Sequence, residues 1–286
     1  MTHVAQAALW MTGAIASFSS MAVAGRMVTL ELDTFELMLY RSVIGFAIVL
    51  AVAGLAGRLG EVSGKRLSLH LVRNVSHFTG QNLWFWALTM IPMAQVFALE
   101  FTSPLWVAVL APLILGERLT RMRALAAGLG FIGILIVARP NPMALEPGAL
   151  AALGAAIGFA GSAMFTKRLI ATQSVVSVLF WLTVMQTGLA LLCAGLDGDI
   201  AWPSPTAWPP LAVIGFAGLM AHFCLTNALR VAPAILVMPM DFLRLPVIAV
   251  VGMALYAEPL EWAVFAGAAL ILTANFVNLR AEVRPR

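Results

Sequence analysis

Residues 87–100, ALTMIPMAQVFALE, and residues 228–241, ALRVAPAILVMPMD, carry the pattern that decides the fold. Each stretch is mostly apolar, has a proline at its sixth position and ends in a carboxylate. The two stretches begin 141 residues apart, and the same offset aligns the two halves of the chain without a gap. Because prolines and acids are scarce here, their shared register indicates an internal duplication. The matched pairs include Pro92 with Pro233, Glu100 with Asp241, Glu117 with Glu258, and Gly54 with Gly195.

The composition excludes an ordinary soluble domain. Of the 286 residues, 62% are hydrophobic and 10% are charged, whereas soluble domains carry roughly 25% charged residues. With so few polar residues the outer surface must also be apolar, which places the chain in lipid. The two cysteines, Cys193 and Cys224, lie in apolar runs without metal-ligand spacing, so we expect no disulfide and no metal site. The sequence likewise indicates no cofactor and no nucleic-acid partner.

Apolar runs of about 20 residues match the thickness of a bilayer core. We count about ten such runs and predict an all-α integral membrane protein with ten transmembrane helices. No Lys or Arg precedes the first run, so we interpret it as a retained span and not a signal peptide. The predicted spans are 4–25, 35–56, 74–94, 95–115, 124–139, 148–166, 174–196, 207–229, 234–256 and 262–279.

The basic residues predict the orientation, because they are retained on the cytoplasmic side. With the amino terminus inside, only Arg26 and Arg139 fall in outside loops, and Arg41 and Arg244 fall within the membrane. The other basic residues fall in inside loops and the tail. They are Arg58, Lys65, Arg66, Arg73, Arg118, Arg121, Arg123, Lys167, Arg168, Arg230, Arg280, Arg284 and Arg286. The sequence thus predicts a multi-pass protein of the cytoplasmic (inner) membrane with both termini in the cytoplasm.

The duplication predicts how the two halves are arranged. Each half, 1–140 and 141–286, holds about five spans, and an odd number inserts the second half upside down. Inverted repeats are common in secondary transporters, where the substrate site lies near the midplane between the repeats. We therefore expect two inverted five-helix repeats around a central site for a small molecule. The alternative is an old duplication without a transport role.

A family resemblance supports this interpretation. Residues 104–137, PLWVAVLAPLILGERLTRMRALAAGLGFIGILIV, resemble the signature end of an EamA domain in the drug/metabolite transporter superfamily. The matching features are Gly116-Glu117, Gly128 and the run from Gly133 to Ile136, and residues 246–275 resemble the same element with Ala257-Glu258 in the turn. The resemblance implies ten helices, cytoplasmic termini and alternating access driven by a gradient. No Walker A phosphate loop occurs, in agreement with transport that does not use ATP.

Shorter motifs bear on the substrate. Residues 35–37 (FEL), 40–41 (YR) and 70–73 (HLVR) are most similar to the branch that contains S-adenosylmethionine and riboflavin uptake carriers. Residues 241–244 (DFLR) depart from the S-adenosylmethionine carriers. Because efflux is widespread in the superfamily, we favour export of a small polar or zwitterionic metabolite. The alternative is uptake of a nutrient such as riboflavin or S-adenosylmethionine, and the sequence leaves a homodimer open.

Charged residues inside the membrane are the first candidates for the site, because they are costly there and face the interior of the bundle. Asp241 and Arg244 are three residues apart and can pair across one helical turn. They either bind the charged groups of a substrate or form a structural ion pair. Glu100 is either the proton-coupling group or a structural acid, and Arg41 either reaches the cavity or extends to the outer interface.

Neutral polar and aromatic residues in the spans complete the prediction. Such groups line a polar cavity or simply join helices. The candidates are Gln81, Asn82, Gln95, His222, Asn227, Trp86 and Trp181. A membrane enzyme is the rival class, but the chain has no His-Glu-x-x-His and no Gly-x-Ser-x-Gly motif, so we predict no catalytic residues. A scaffold or lipid-handling protein would need a dry interface between the halves.

Overall fold

The computed structural model describes residues 3–29, 31–116, 120–138, 146–196, 198–257, 262–263, 265–267, 269–270 and 273. These residues form helices and turns and contain no strand, which confirms the predicted all-helical class. The helices are α1 (His3–Val28), α2 (Thr34–Leu55), α3 (Leu67–Met90), α4 (Met93–Glu100), α5 (Ser103–Ile114), α6 (Arg121–Ala138), α7 (Pro147–Leu169), α8 (Val175–Ala194), α9 (Trp208–Val231), α10 (Ala234–Met240) and α11 (Arg244–Tyr256). Short 3₁₀ turns occupy Leu59–Glu61 and Asp241–Leu243.

Several described helices can cross a bilayer. Six stretches are long and apolar enough, namely His3–Val28, Thr34–Leu55, Gln95–Ile114, Pro147–Leu169, Val175–Ala194 and Trp208–Val231. The protein is therefore a multi-pass membrane protein. The predicted tenth span, 262–279, falls largely outside the described residues, as do Glu117 and Glu258 of the predicted signature turns.

Prolines and caps set the helix ends. Helices α3 and α9 end shortly before Pro92 and Pro233, because the residue before a proline is disfavoured in helical conformation. Helix α2 begins with a capping box: the Asp33 carboxylate accepts from the Glu36 amide at 2.8 Å, and the Glu36 carboxylate accepts from the Asp33 amide at 3.0 Å. Helix α5 ends before Gly116, which has a φ of +69° and so suits the left-handed position after a helix.

The predicted spans 95–115 and 234–256 are each interrupted. A turn at residues 101–102 separates α4 from α5, and the 3₁₀ turn at 241–243 separates α10 from α11. Pro104 and Pro246 lie just after these breaks, and each lacks the N–H that a continuous helix would direct at the carbonyl four residues earlier. The breaks place Glu100 at the end of α4 and Arg244 at the start of α11.

The most extensive packing joins α1 to α9, α3 to α7 and α2 to α8. Helix α4 packs on α11, and α5 packs on α10. Helices α3 and α7 approach so closely that a Cβ built on Gly158 would lie 2.7 Å from the carbonyl oxygen of Ser76 and 2.8 Å from Cα of Gly80. Small residues of this kind let helix backbones come together in membranes.

Candidate functional site

The two helix breaks meet at a buried ion cluster. Nη2 of Arg244 donates to Oε1 of Glu100 and, at 2.7 Å, to Oδ2 of Asp241. The side chains of Arg244, Glu100 and Asp241 are 2%, 9% and 14% exposed. The i,i+3 pair expected from the sequence is formed, and Glu100 joins it from the other half of the chain. One arginine thus pairs with two carboxylates, so the three ionised side chains together carry a formal charge of −1.

Aromatic rings surround this ion cluster. Nε1 of Trp84 donates to Oε2 of Glu100 at 2.7 Å. The guanidinium carbon of Arg244 lies 4.9, 4.8 and 5.3 Å from the ring centroids of Phe18, Phe97 and Phe101, distances at which a cation is attracted to the ring face. Oδ1 of Asp241 and Nε of Arg244 keep no hydrogen-bond partner, so the cluster retains one free acceptor and one free donor.

A second polar cluster is centred on Arg73 of α3. Arg73 is 2% exposed, and its guanidinium donates to Oγ1 of Thr166 at 3.1 Å and to Oδ1 of Asn74 at 2.9 Å. Its Nη2 also lies 3.5 Å from Nδ1 of His222, whose ring meets the His77 ring edge-on at a centroid distance of 4.5 Å. Among the described residues no carboxylate pairs with Arg73, so this cluster is positively charged and rich in hydrogen-bond donors.

Both clusters line one cavity of about 60 Å³. Its polar lining includes Gln81, Ser103, Ser162, Thr166 and Thr226, and its aromatic lining includes Phe18, Trp84, Phe101 and Phe159. About 10–15 Å³ is enough for one water-sized sphere, so this space suits only a few waters. Pockets for small molecules usually enclose about 300–1,000 Å³. The cavity must therefore widen before a small molecule of that size can enter, so we refer to this arrangement as the closed conformation.

Five of the predicted site residues line this cavity, namely Gln81, Glu100, His222, Asp241 and Arg244. They reach it from four different helices and the turn after α10, so only the folded chain brings them together.

The other predicted site residues lie elsewhere. Trp86 is 43% exposed. It lies two positions after Trp84 and points about 200° away from it around the helix, so Trp84 faces inward and Trp86 faces outward. Trp181 donates from Nε1 to the carbonyl of Ser63 at 2.9 Å, and so anchors the turn before α3. Gln95 is half-buried outside the cavity lining.

Two predicted amides bond to the backbone of their own helix. Nδ2 of Asn82 donates to the carbonyl of Phe78 at 2.9 Å, and Nδ2 of Asn227 donates to the carbonyl of Phe223 at 2.8 Å. Arg41 is 5% exposed and lines a separate, smaller cavity. It therefore neither lines the central cavity nor extends to the interface.

Arg73 is the main residue that the sequence analysis missed. We assigned it to a cytoplasmic loop because it precedes the predicted span 74–94, but α3 begins at Leu67 and carries it inside. A signal was present: the polar residues of α3 recur at helical spacing and form one polar face. They are His70, Arg73, Asn74, His77 and Gln81.

Contacts with the loop at residues 201–204 connect the two halves of the chain. The Glu31 carboxylate accepts from the backbone amide of Ser204 and, at 2.7 Å, from its hydroxyl. These hydrogen bonds to the charged form lower the pKa of Glu31 from its usual value. Nearby, the hydroxyl of Tyr40 donates to the carbonyl of Ala201 at 2.7 Å, and the Ala201 amide donates to the Glu36 carboxylate at 2.6 Å. The described residues contain no cluster that could hold a metal ion.

Broken membrane helices that meet at buried charges beside a cavity are typical of membrane transporters. The chain belongs to the EamA-like transporter family, which matches residues 5–139 and 146–280. It is therefore a transporter and not an enzyme.

Known relatives indicate which branch of the family the chain resembles. The chain is 34% identical over 218 residues to a riboflavin transporter of Brucella anthropi, with 75% of this chain and 77% of the relative covered. It is 31% identical to a riboflavin transporter of Rhizobium johnstonii, with 97% of this chain and 92% of the relative covered. An S-adenosylmethionine uptake transporter of Rickettsia felis is 24% identical, with 96% of this chain and 92% of the relative covered. The resemblance to the branch of these carriers is thereby confirmed.

Proposed function

We propose that this protein is a secondary active transporter of the cytoplasmic membrane that takes up a small, flat, polar metabolite of the riboflavin class. The observation that carries the proposal is the cavity in which the donors Arg73, His77 and His222 lie beside aromatic side chains. The carbonyl oxygens and ring nitrogens of such a substrate would accept hydrogen bonds from these donors. Its flat ring would stack on Phe18 or Phe159.

The architecture proposed for this carrier is two inverted five-helix repeats, 1–140 and 141–286, with both termini in the cytoplasm. Helices α3 (Leu67–Met90) and α9 (Trp208–Val231) have equal lengths and begin 141 residues apart. The packing supports the same pseudo-symmetry, because the pairs α1–α9 and α3–α7 exchange when the halves are exchanged. The basic residues support the orientation even with Arg73 moved into the membrane.

The direction of transport is proposed from the relatives. The sequence favoured export, but the relative from Rickettsia felis is named as an uptake transporter. We therefore prefer uptake.

A zwitterionic metabolite is the second candidate, and the charge distribution favours it. The cavity has a cluster of formal charge −1 at Glu100, Asp241 and Arg244 and a positive cluster at Arg73. A substrate such as S-adenosylmethionine carries both an anionic carboxylate and cationic groups, so it would match both clusters.

Proton coupling is proposed at the ion cluster. One arginine neutralises only one of the two carboxylates, so the second can bind a proton from one side of the membrane and release it on the other. Glu100→Gln removes this capacity while keeping a side chain that can accept from Trp84. We expect the variant to reach the membrane and lose pH-driven transport; unchanged coupling would contradict the proposal.

The substrate test uses purified protein in proteoliposomes with an imposed pH gradient. We expect saturable accumulation of radiolabelled riboflavin, with unlabelled S-adenosylmethionine as competitor for the second candidate. Arg73→Gln should raise KM about tenfold, because a hydrogen bond from a charged donor contributes about 1.5–3 kcal/mol. The matched controls are Trp84→Phe and Trp86→Phe, of which only the first removes a cavity hydrogen bond. If riboflavin does not move and S-adenosylmethionine does, the second candidate replaces the first; if neither moves, both fail.

A further inference from the structure

Arg41 is a buried cation outside the substrate cavity. It lies seven residues into α2, about 10 Å along the helix, and is 5% exposed. Within the part of the chain that the structure describes, its Nη1 contacts the sulfur of Met38 at 3.7 Å and its Nε has no partner. Among the described residues no carboxylate pairs with it. The single acid of α2, Glu36, is occupied by the backbone amides of Asp33 and Ala201.

Arg41 lies beside a small cavity whose mostly apolar lining includes a few polar side chains. The cavity encloses about 20 Å³ between α2, α8 and α9. Ser42 lines it and has a buried hydroxyl without a partner. Gly218 keeps the space open, because a Cβ there would lie 2.6 Å from Nε and 2.7 Å from Nη2 of Arg41. Arg41 and Ser42 thus offer two unused hydrogen-bond donors in the lining of one cavity.

The size and charge of the site select its occupant. About 10–15 Å³ is enough for one water-sized sphere, so the cavity suits a monatomic ion and is too small for phosphate or a metabolite carboxylate. A water would satisfy the two donors and the free amide oxygen of Gln186, but it would leave the charge of Arg41 unbalanced. An uncompensated buried charge costs several kcal/mol. A small anion accepts from both donors and neutralises the charge of Arg41, which outweighs its inability to bond the amide oxygen of Gln186.

We propose that Arg41 and Ser42 bind one chloride ion in the cavity between α2, α8 and α9. The ion neutralises Arg41 and holds the three helices together. The site is separate from the substrate cavity, so the inference stands or falls independently of the proposed substrate.

The test is thermal unfolding of the purified full-length protein, followed by tryptophan fluorescence in chloride, bromide, sulfate and gluconate at equal ionic strength. We expect a saturable rise of the apparent Tm in chloride and bromide relative to gluconate, of about 3 °C at ten times the dissociation constant. Sulfate is too large for the site and should give no saturable rise, only the gradual increase of Tm that an excluded anion causes. Equal Tm values in chloride and gluconate, or a saturable rise in sulfate equal to that in chloride, would overturn the proposal.

Variants then locate the effect. Arg41→Gln should abolish the chloride increment, and Ser42→Ala should weaken the apparent chloride affinity about tenfold without removing a charge. Arg58→Gln is the matched control, because Arg58 is an exposed arginine paired with Glu61 at 2.6 Å; it should keep the full increment. If Arg41→Gln does not fold, Ser42→Ala and binding of radioactive chloride decide. One chloride per chain with weakened binding in Ser42→Ala supports the site, and no binding or unchanged affinity refutes it.

Discussion

Replacing Arg244 with glutamine tests whether the ion cluster holds the two helix breaks together. Arg244 is the only cation that pairs with Glu100 and Asp241 among the described residues. Arg244→Gln would leave two carboxylates facing one another in a closed space. The two single replacements Glu100→Gln and Asp241→Asn leave Arg244 with one carboxylate and therefore keep an ion pair.

The expected magnitudes follow from this charge balance. Removing one partner of a buried ion pair costs about 3–5 kcal/mol, because the other charge remains buried and unpaired. At about 2–4 °C for each kcal/mol in a chain of this size, Arg244→Gln should lower the apparent Tm by about 10 °C. Glu100→Gln and Asp241→Asn each weaken one charge-assisted hydrogen bond, worth about 1.5–3 kcal/mol, and should lower it by about half as much.

The assay is a thermal unfolding series on detergent-purified variants, with membrane insertion checked beforehand. The informative variant is the double replacement Arg244→Gln with Glu100→Gln. It should be more stable than Arg244→Gln alone, because it removes one stranded carboxylate. Adding Asp241→Asn removes the last charge and should bring the Tm closer to that of the wild type while transport stays abolished.

Two results would refute this reasoning. If Arg244→Gln unfolds at the wild-type temperature, the cluster does not contribute to the closed conformation. If the losses in the double variant simply add, Glu100 and Arg244 do not interact across the helix breaks.

Two further predictions concern helix packing and the loops. Gly158→Ala should lower the Tm by several degrees, because the new Cβ would meet the backbone of α3 at Gly80, whereas the control Gly188→Ala, with open space around it, should be neutral; equal Tm values would contradict the close packing. For Glu31, the pKa is lower in the folded protein than in the unfolded chain, so its contact with Ser204 stabilises the fold above the unfolded pKa and is lost as the pH falls through the folded one. Glu31→Gln should therefore lower the Tm at neutral pH and reduce its loss on acidification, and an unchanged pH profile would exclude this contribution.

The local sequence pattern was sufficient to predict the helices. In a bilayer the backbone must satisfy its hydrogen bonds within each segment, so a long apolar run becomes a helix whatever its neighbours are. Pro92 and Pro233 end α3 and α9 for an equally local reason. The Asp241–Arg244 pair was also predictable, since both groups lie within one turn of chain.

The inward faces of the helices were not predictable in the same way. In soluble proteins hydrophobic periodicity marks the buried face, but in a membrane protein the lipid-facing side is as apolar as the packed side. Trp84 and Trp86 look equivalent in the sequence, yet one donates to Glu100 and the other is exposed. Only the packing of α3 against its neighbours decides between them.

The sequence by itself therefore determined an all-helical membrane protein, a duplicated chain and the few charges that must be accommodated inside it. The tertiary structure alone decided which charges meet: Arg244 joins Glu100 across 144 residues of chain, Arg73 moves from a presumed loop into the cavity lining, and Arg41 goes to a separate pocket. The physical reason is that helix formation depends on backbone bonds within a segment. The partner of a buried charge depends on how separate helices rotate and pack.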